Sequence, residues 1–199
     1  MERITIYLLM LLGMFKTDQE ITKHEDVIVH VVPLGDVKQK YLTHVKESID
    51  KFYPNIKCII DEPVKLTDDI LAKSGKRYEA SKILSKYKSK RNVILITEKD
   101  IAYFNKEKNI KEYGIIGLGL RPGKVCVVST FRIKRGNKLF SRLEKVSLHE
   151  IGHNLNIPHC ENSRDCLMHA AEGSIRQIDR EKVWVCEKCK DKLNLSYLN

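Results

Sequence analysis

Tryptophan occurs once and proline five times in these 199 residues, and only 7% are aromatic. Internal repeats, low-complexity tracts and Gly/Ser linkers that would divide the chain are also missing. The length therefore points to one domain. With 42% hydrophobic residues the chain can bury a core of ordinary size, so a small disulfide scaffold is not the natural class. Acidic residues are the minority charge: Lys and Arg total 36 against 26 Asp and Glu, a net +10. Such an excess favours acidic partners, but most of it is lysine scattered through "VKQKY", "SKILSKYKSKR" and "NKEKNIKE". That is the pattern of a solvated surface rather than a binding groove, and nucleic acid is not expected as a partner.

No apolar run is long enough to cross a bilayer comfortably. The most apolar one, Ile4 to Phe15 in "MERITIYLLMLLGMFKTDQ", has about twelve residues, the length of a signal-peptide core. No small-x-small cleavage site follows it, which leaves three readings: export, an uncleaved anchor, or a cytosolic chain with an apolar first helix. The expectation is a signal peptide or short apolar anchor over residues 1–20, with export or anchoring favoured over a cytoplasmic location. Any membrane contact would be confined to this segment. The domain proper is expected over residues 26–195, acting as a monomer.

Within that domain, "DVIVHVVPLG" (26–35), "NIKCIID" (55–61) and "NVILITEKD" (92–100) are β-branched runs closed by turn residues, and read as buried strands. Val37, Tyr41, Val45, Ile49 and Phe52 recur at helical spacing between the first two. "RYEASKILSKYKSK" (77–90) reads as a second helix before the third strand. Alternating strands and helices predict a parallel or mixed sheet covered by helices, an α/β (α+β) fold. "YGIIGLGL" and "KVCVVSTFRI" then read as two further strands around "RPGK" (121–124). The glycines at 114, 117 and 119 make the first of these either an edge strand that admits an extended substrate or a surface loop. Cys58 and Cys126 lie in apolar runs and read as buried thiols.

"LFSRLEKVSLHEIGHNL" (139–155) has enough periodic apolar residues for a helix with a broad buried face. His149 and His153 stand four apart, so both imidazoles leave the same side and can grip one ion. Glu150 beside them does not ligate in this arrangement; it can reach a water at the ion and act as general base. His159 supplies a third imidazole if the chain reverses sharply after Leu155. Such a reversal calls for a left-handed residue, normally glycine. Asn156 is the side chain that best tolerates that conformation, and Pro158 keeps the helix from resuming.

Cys160, Cys166, Cys186 and Cys189 follow as C-x5-C-x19-C-x2-C. A close Cys-x-x-Cys with two more cysteines within thirty residues is the spacing of a structural tetrahedral zinc site; the alternative is two disulfides. Cys-x-x-Cys closes a strained small ring as a disulfide, which favours metal. His169, next to Met168, reads as a surface histidine more readily than as a group supporting the site. His24, His30 and His44 show no partner pattern.

"HEIGHNLNIPH" (149–159) resembles the extended metzincin zinc motif His-Glu-x-x-His-x-x-Gly-x-x-His, with asparagine at the glycine position. The cysteine directly after the third histidine, then Cys166-Leu167-Met168, seventeen residues and Cys-x-x-Cys resemble the archaemetzincin family. Besides Asn156, the one departure is five rather than four residues between Cys160 and Cys166. The resemblance implies a metzincin-like zincin domain with a mixed twisted sheet, an active-site helix and a C-terminal zinc knuckle over residues 160–189. It implies two Zn²⁺ cofactors: a catalytic one on His149, His153 and His159, and a structural one on the four cysteines. Met168 would lie in the methionine turn beneath the first. The expected function is a zinc-dependent peptidase acting on peptide or protein substrates, with a metal-bound water and Glu150 as general base. The alternative is a zinc-stabilised binding module or a degenerate, weakly active peptidase.

Overall fold

The β-branched runs at the centre of the sheet are apolar throughout because they are buried on both faces, whereas the run at 56–60 alternates buried and exposed positions. A computed structural model of the chain describes residues 27–88, 90–134 and 136–193. The expectation for residues 1–20 lies outside this range. In chain order the elements begin with β1 (Val27–Pro33), α1 (Gln39–Phe52), β2 (Ile56–Ile60), β3 (Tyr78–Glu79), α2 (Ala80–Tyr87) and β4 (Asn92–Thr97). Then come β5 (Ile101–Asn105), β6 (Ile110–Ile115), β7 (Gly117–Gly119), β8 (Val125–Ser129), α3 (Leu139–Asn154), α4 (Ile175–Arg180) and α5 (Glu187–Lys190).

The main sheet has the order β2-β1-β4-β8-β7. Its first four strands are mutually parallel and β7 is antiparallel to β8, so the sheet is mixed and β7 forms one edge. Period-two alternation divides the sheet's side chains between two layers. Val29, Val31, Ile94, Ile96, Cys126 and Val128 face α1 and α3, whereas Val32, Val93, Leu95, Val125 and Val127 pack with Ile83 and Leu84 of α2. Cys58 and Cys126 are buried, as their apolar surroundings suggested.

Three local readings are corrected. "YGIIGLGL" is two strands: β6 pairs with β5 in a second sheet of order β3-β5-β6, and only Gly117–Gly119 joins the main sheet. The hairpin of β5 and β6 went unanticipated, because "KEKN" between them looks like solvated lysine surface rather than a turn. The helix expected from residue 77 starts at Ala80, since Tyr78 and Glu79 pair with Ile101 and Ala102 as β3. β8 ends at Ser129, where the next residues turn and Ser129 Oγ donates to Lys99 O.

Candidate metal centre

Helix α3 ends just after its second histidine, and the way it ends places the third. Asn156 takes φ 68°, the left-handed region. Its N–H donates to His153 O at 2.9 Å and the Ile157 N–H donates to Gly152 O at 2.9 Å. These two bonds are those of a Schellman turn, which satisfies carbonyls the helix end would otherwise leave open. The chain therefore doubles back, and the His159 ring centroid comes within 4.7 Å of His153 and 5.4 Å of His149.

Proton positions follow from the partners. His149 Nδ1 lies 2.7 Å from Leu167 O and His153 Nδ1 lies 2.8 Å from Ile157 O. A carbonyl only accepts, so each Nδ1 carries the proton and each Nε2 presents a bare lone pair. His153 Nε2 is 3.2 Å from His159 Nε2, and one ring nitrogen from each of the three histidines lies within 4.8 Å of the others. Tetrahedral zinc, with Zn–N of about 2.0–2.1 Å, sets ligand nitrogens about 3.3 Å apart. Burial first, and the neighbouring rings after it, push His149 down to about 3 and His153 to about 4. Both imidazoles stay neutral at ordinary pH, in the state that ligates a metal. The donor set fits such an ion.

Glu150 is 6% exposed and lies against the sheet edge. A Cβ on Gly117 would collide with its carboxylate, and the Gly119 N–H donates to it. Bare backbone at both glycines is what allows α3 to approach β7 so closely. Burial raises Glu150 to about 8, partly opposed by the Gly119 N–H. Glu150 and all three histidines line one cleft of about 610 Å³, bounded on the sheet side by Ile116, Gly117 and Gly119.

Beneath the histidines, a Cβ on Gly152 would stand 2.5 Å from Met168 Sδ, and Met168 is fully buried. The methionine thus packs against the one residue of α3 that has no side chain. Asn154, also buried, ties the same helix to the sheet. In the amide orientation that satisfies both ends it donates to Glu150 O at 3.2 Å and accepts from the Val125 N–H at 2.9 Å.

The four cysteines are buried and unbridged. Cys160 Sγ is 3.6 Å from Cys186 Sγ, and Cys166 Sγ is 3.9 Å from Cys189 Sγ. A disulfide needs about 2.05 Å, whereas Zn–S bonds of about 2.3 Å in a tetrahedron separate sulfurs by about 3.8 Å. All four sulfurs lie within 4.8 Å of one another, so the disulfide alternative is set aside and the set fits a tetrahedral ion. The Cys186 N–H also points at Cys166 Sγ, 3.4 Å away.

His169 is half-buried, its Nδ1 2.8 Å from Cys160 O, so it braces the loop between the two clusters. His30 pairs with Asp61 at 2.9 Å and His44 Nε2 is 2.9 Å from Phe140 O, neither near the cleft. Sequence reasoning missed the Leu167 and Ile157 carbonyls, Gly152, Asn154 and the cleft residues Arg121 and Glu181. Each is set by the folded path, and only Gly152, inside the helical motif, left a sequence signal.

Two clusters of converging ligand atoms, four buried cysteines and three histidines in a cleft beside a glutamate and an edge strand, define a zinc metallopeptidase. The profile of peptidase family M54 matches residues 37–195, and the chain belongs to that family. It is 26% identical over 176 residues to an archaemetzincin of Halobacterium salinarum, covering 81% of this chain and 96% of that protein. Among solved structures, the archaemetzincin of Archaeoglobus fulgidus complexed with malonate superposes with a TM-score of 0.72 at 26% identity, covering 83% of this chain and 99% of that one. The Methanopyrus kandleri archaemetzincin shares the fold, with a TM-score of 0.70 at 20% identity, covering 85% of this chain and 94% of that one. The protein is therefore a hydrolase with zinc as its metal, acting on peptides or proteins.

Proposed function

We propose that the cleft is the catalytic centre, with His149, His153 and His159 holding one zinc, Glu150 as general base, and Cys160, Cys166, Cys186 and Cys189 holding a second, structural zinc. The observation that carries this reading is the pair of bare Nε2 lone pairs, on two rings that resist protonation, converging with a third ring beside a buried carboxylate. Bound there, zinc would supply the positive charge that acidifies an attacking water and polarises the scissile carbonyl.

The chain's own groups do the rest. Leu167 O and Ile157 O fix the two imidazoles in orientation and tautomer, which holds their lone pairs on one point. Glu150 accepts a proton from the attacking water and delivers it to the leaving amine; its burial favours the protonated form through which it passes. The outer edge of β7 offers backbone donors and acceptors to an extended peptide, and its glycines keep side chains out of the way. Met168 supports α3 from below.

Residues 26–195 are taken as one peptidase domain, acting as a monomer, with residues 1–20 exporting or anchoring it. Among the described residues no helix is long and apolar enough to cross a membrane. Metal analysis of the pure protein is expected to give two zinc per chain, falling to one in His153→Ala and in Cys186→Ala. Glu150→Gln is expected to keep both metals and lose peptide cleavage by several orders of magnitude. Equal turnover in that variant refutes the mechanism.

A further inference from the structure

The cleft is the acidic part of a basic protein. The chain carries a net +10, yet the charged side chains lining the cleft are Glu150, Glu161, Glu172 and Glu181 against the single cation Arg121. Glu172 lies 3.8 Å from Lys108 at the rim. Glu181 is, besides Glu150, the buried carboxylate of this wall, at 4% exposure.

Lys145 acts on this carboxylate only through space, not as a contact ion pair. Gln177 Nε2 reaches Oε1 at 3.3 Å. Lys145 of α3 donates to Ile178 O at 2.9 Å and does not line the cleft. Arg142 and Lys138, farther along the same helix, are both committed to Asp179. Among the described residues Glu181 makes no ion pair. Burial, opposed by Gln177 and Lys145, accordingly lifts its pKa to about 7. A buried carboxylate that faces a cavity with one weak partner is an acceptor waiting for a donor.

The direction of a bound peptide decides which side chain meets it. β7 runs from Gly117, beside the Glu150 carboxylate, to Gly119, beside Asn154, in the same sense as α3. Beyond it, Arg121 lines the cleft together with His153 and His159. Antiparallel pairing is the more stable ladder. A peptide so paired enters at the Arg121 end and leaves toward Ile116, which lines the cleft with Val146 and Ile178. The residue just past the histidines on its carboxyl side therefore meets Val146, Ile178 and Glu181. The two apolar walls suit the methylene stem of a long side chain, and the carboxylate suits its charged head.

We infer that Glu181 makes this enzyme select lysine or arginine immediately on the carboxyl side of the cleaved bond, the cation seating on the Glu181 carboxylate at the end of a pocket walled by Val146 and Ile178. This inference rests on the peptidase reading above. The test uses the zinc-loaded full chain on paired peptides that differ only in lysine or norleucine after the cleaved bond. Lysine is expected to be preferred about tenfold or more, and Glu181→Gln to bring the ratio toward parity. Anisotropy of the same fluorescent peptides on Glu150→Gln protein is expected to show the same discrimination in binding, lost in Glu150→Gln/Glu181→Gln. Cleavage without a basic preference, or a preference that survives in Glu181→Gln, overturns the inference and leaves the peptidase. If no peptide is cleaved, the peptidase reading itself fails, and the binding ratio still decides: equal binding of the two peptides to folded protein overturns the Glu181 site as well.

Discussion

Gly152 is where the helix, the methionine beneath it and the first metal cluster depend on one another, and Gly152→Ala tests that dependence. The added Cβ would meet Met168 Sδ at 2.5 Å, Met168 Cε at 3.0 Å and Tyr53 Oη at 3.4 Å. Neither neighbour can yield easily, because Met168 is fully buried and the Tyr53 hydroxyl is bonded to Leu148 O at 3.0 Å. Overpacking in such a place costs about 2–3 kcal/mol, and the better helix propensity of alanine offsets about 1 kcal/mol of it. The net loss is about 1–2 kcal/mol, a drop of roughly 2–8 °C in Tm for a chain of this size. A second effect follows from geometry. Met168 adjoins Leu167, whose carbonyl orients His149, so displacing the methionine moves the partner of a proposed metal ligand. Losses of this kind weaken metal affinity by about 10- to 100-fold. Melting curves and competition with a chromophoric zinc chelator read the two effects. Met168→Ala in the Gly152→Ala background removes the clash and is expected to cost less than the sum of the two single changes. Unchanged melting and affinity in Gly152→Ala, or strict additivity in the double variant, would refute the packing argument.

Asn154→Leu strips the Val125 N–H of its acceptor inside the core and is expected to cost about 1–3 kcal/mol, read by urea denaturation. Asn156→Ala places a side chain that cannot bond locally in the left-handed region, and should lower stability by about 1–2 kcal/mol in the same assay. Glu181 has its folded pKa raised above the unfolded value, so its protonated form favours the fold below about pH 4.5 and that contribution is lost as pH rises through about 7. Glu181→Gln is therefore expected to gain Tm relative to the parent as pH goes from 4.5 to 8, and a pH-independent difference would count against the burial of that carboxylate. Cys186→Ala is expected to reduce affinity at the histidine cluster as well as remove the second metal, since the Cys160 N–H holds Met168 O at 2.7 Å across the two sites.

The chemistry of the site was legible wherever spacing along one element decides geometry. His149 and His153 share a helix face by arithmetic, and Asn156 with Pro158 announces the reversal that delivers His159. The four cysteines were legible for a different reason, because thiols in a close pair are rarely explained by packing alone. What escaped is what long-range contacts decide. Leu167 O lies 18 residues from the histidine it orients, and any residue could supply that carbonyl. Glu181 sits in "IRQIDREKV" among four other charged residues, and nothing local separates the one that folds inward from those that face water. The division of "YGIIGLGL" between two sheets was equally hidden, since both halves have strand composition and only the partners differ.

The two departures from the family motif are tolerable for the same structural reason. At the first, the left-handed residue is held by hydrogen bonds on both sides, His153 O with the Asn156 N–H and Gly152 O with the Ile157 N–H, so the turn is set by the helix it ends. The surrounding structure thus offsets the modest conformational cost of asparagine over glycine. At the second, the extra residue between Cys160 and Cys166 enters a stretch where Glu161, Asn162 and Arg164 are exposed or partly so, while both ends are clamped. The Cys160 N–H donates to Met168 O, and the Leu167 N–H donates to Trp184 O at 2.8 Å. A loop between fixed ends grows by one residue at small entropic cost. The insertion therefore leaves in register what the site needs: the third histidine on one side of the clamp, and the carbonyl and thioether beneath the first two on the other.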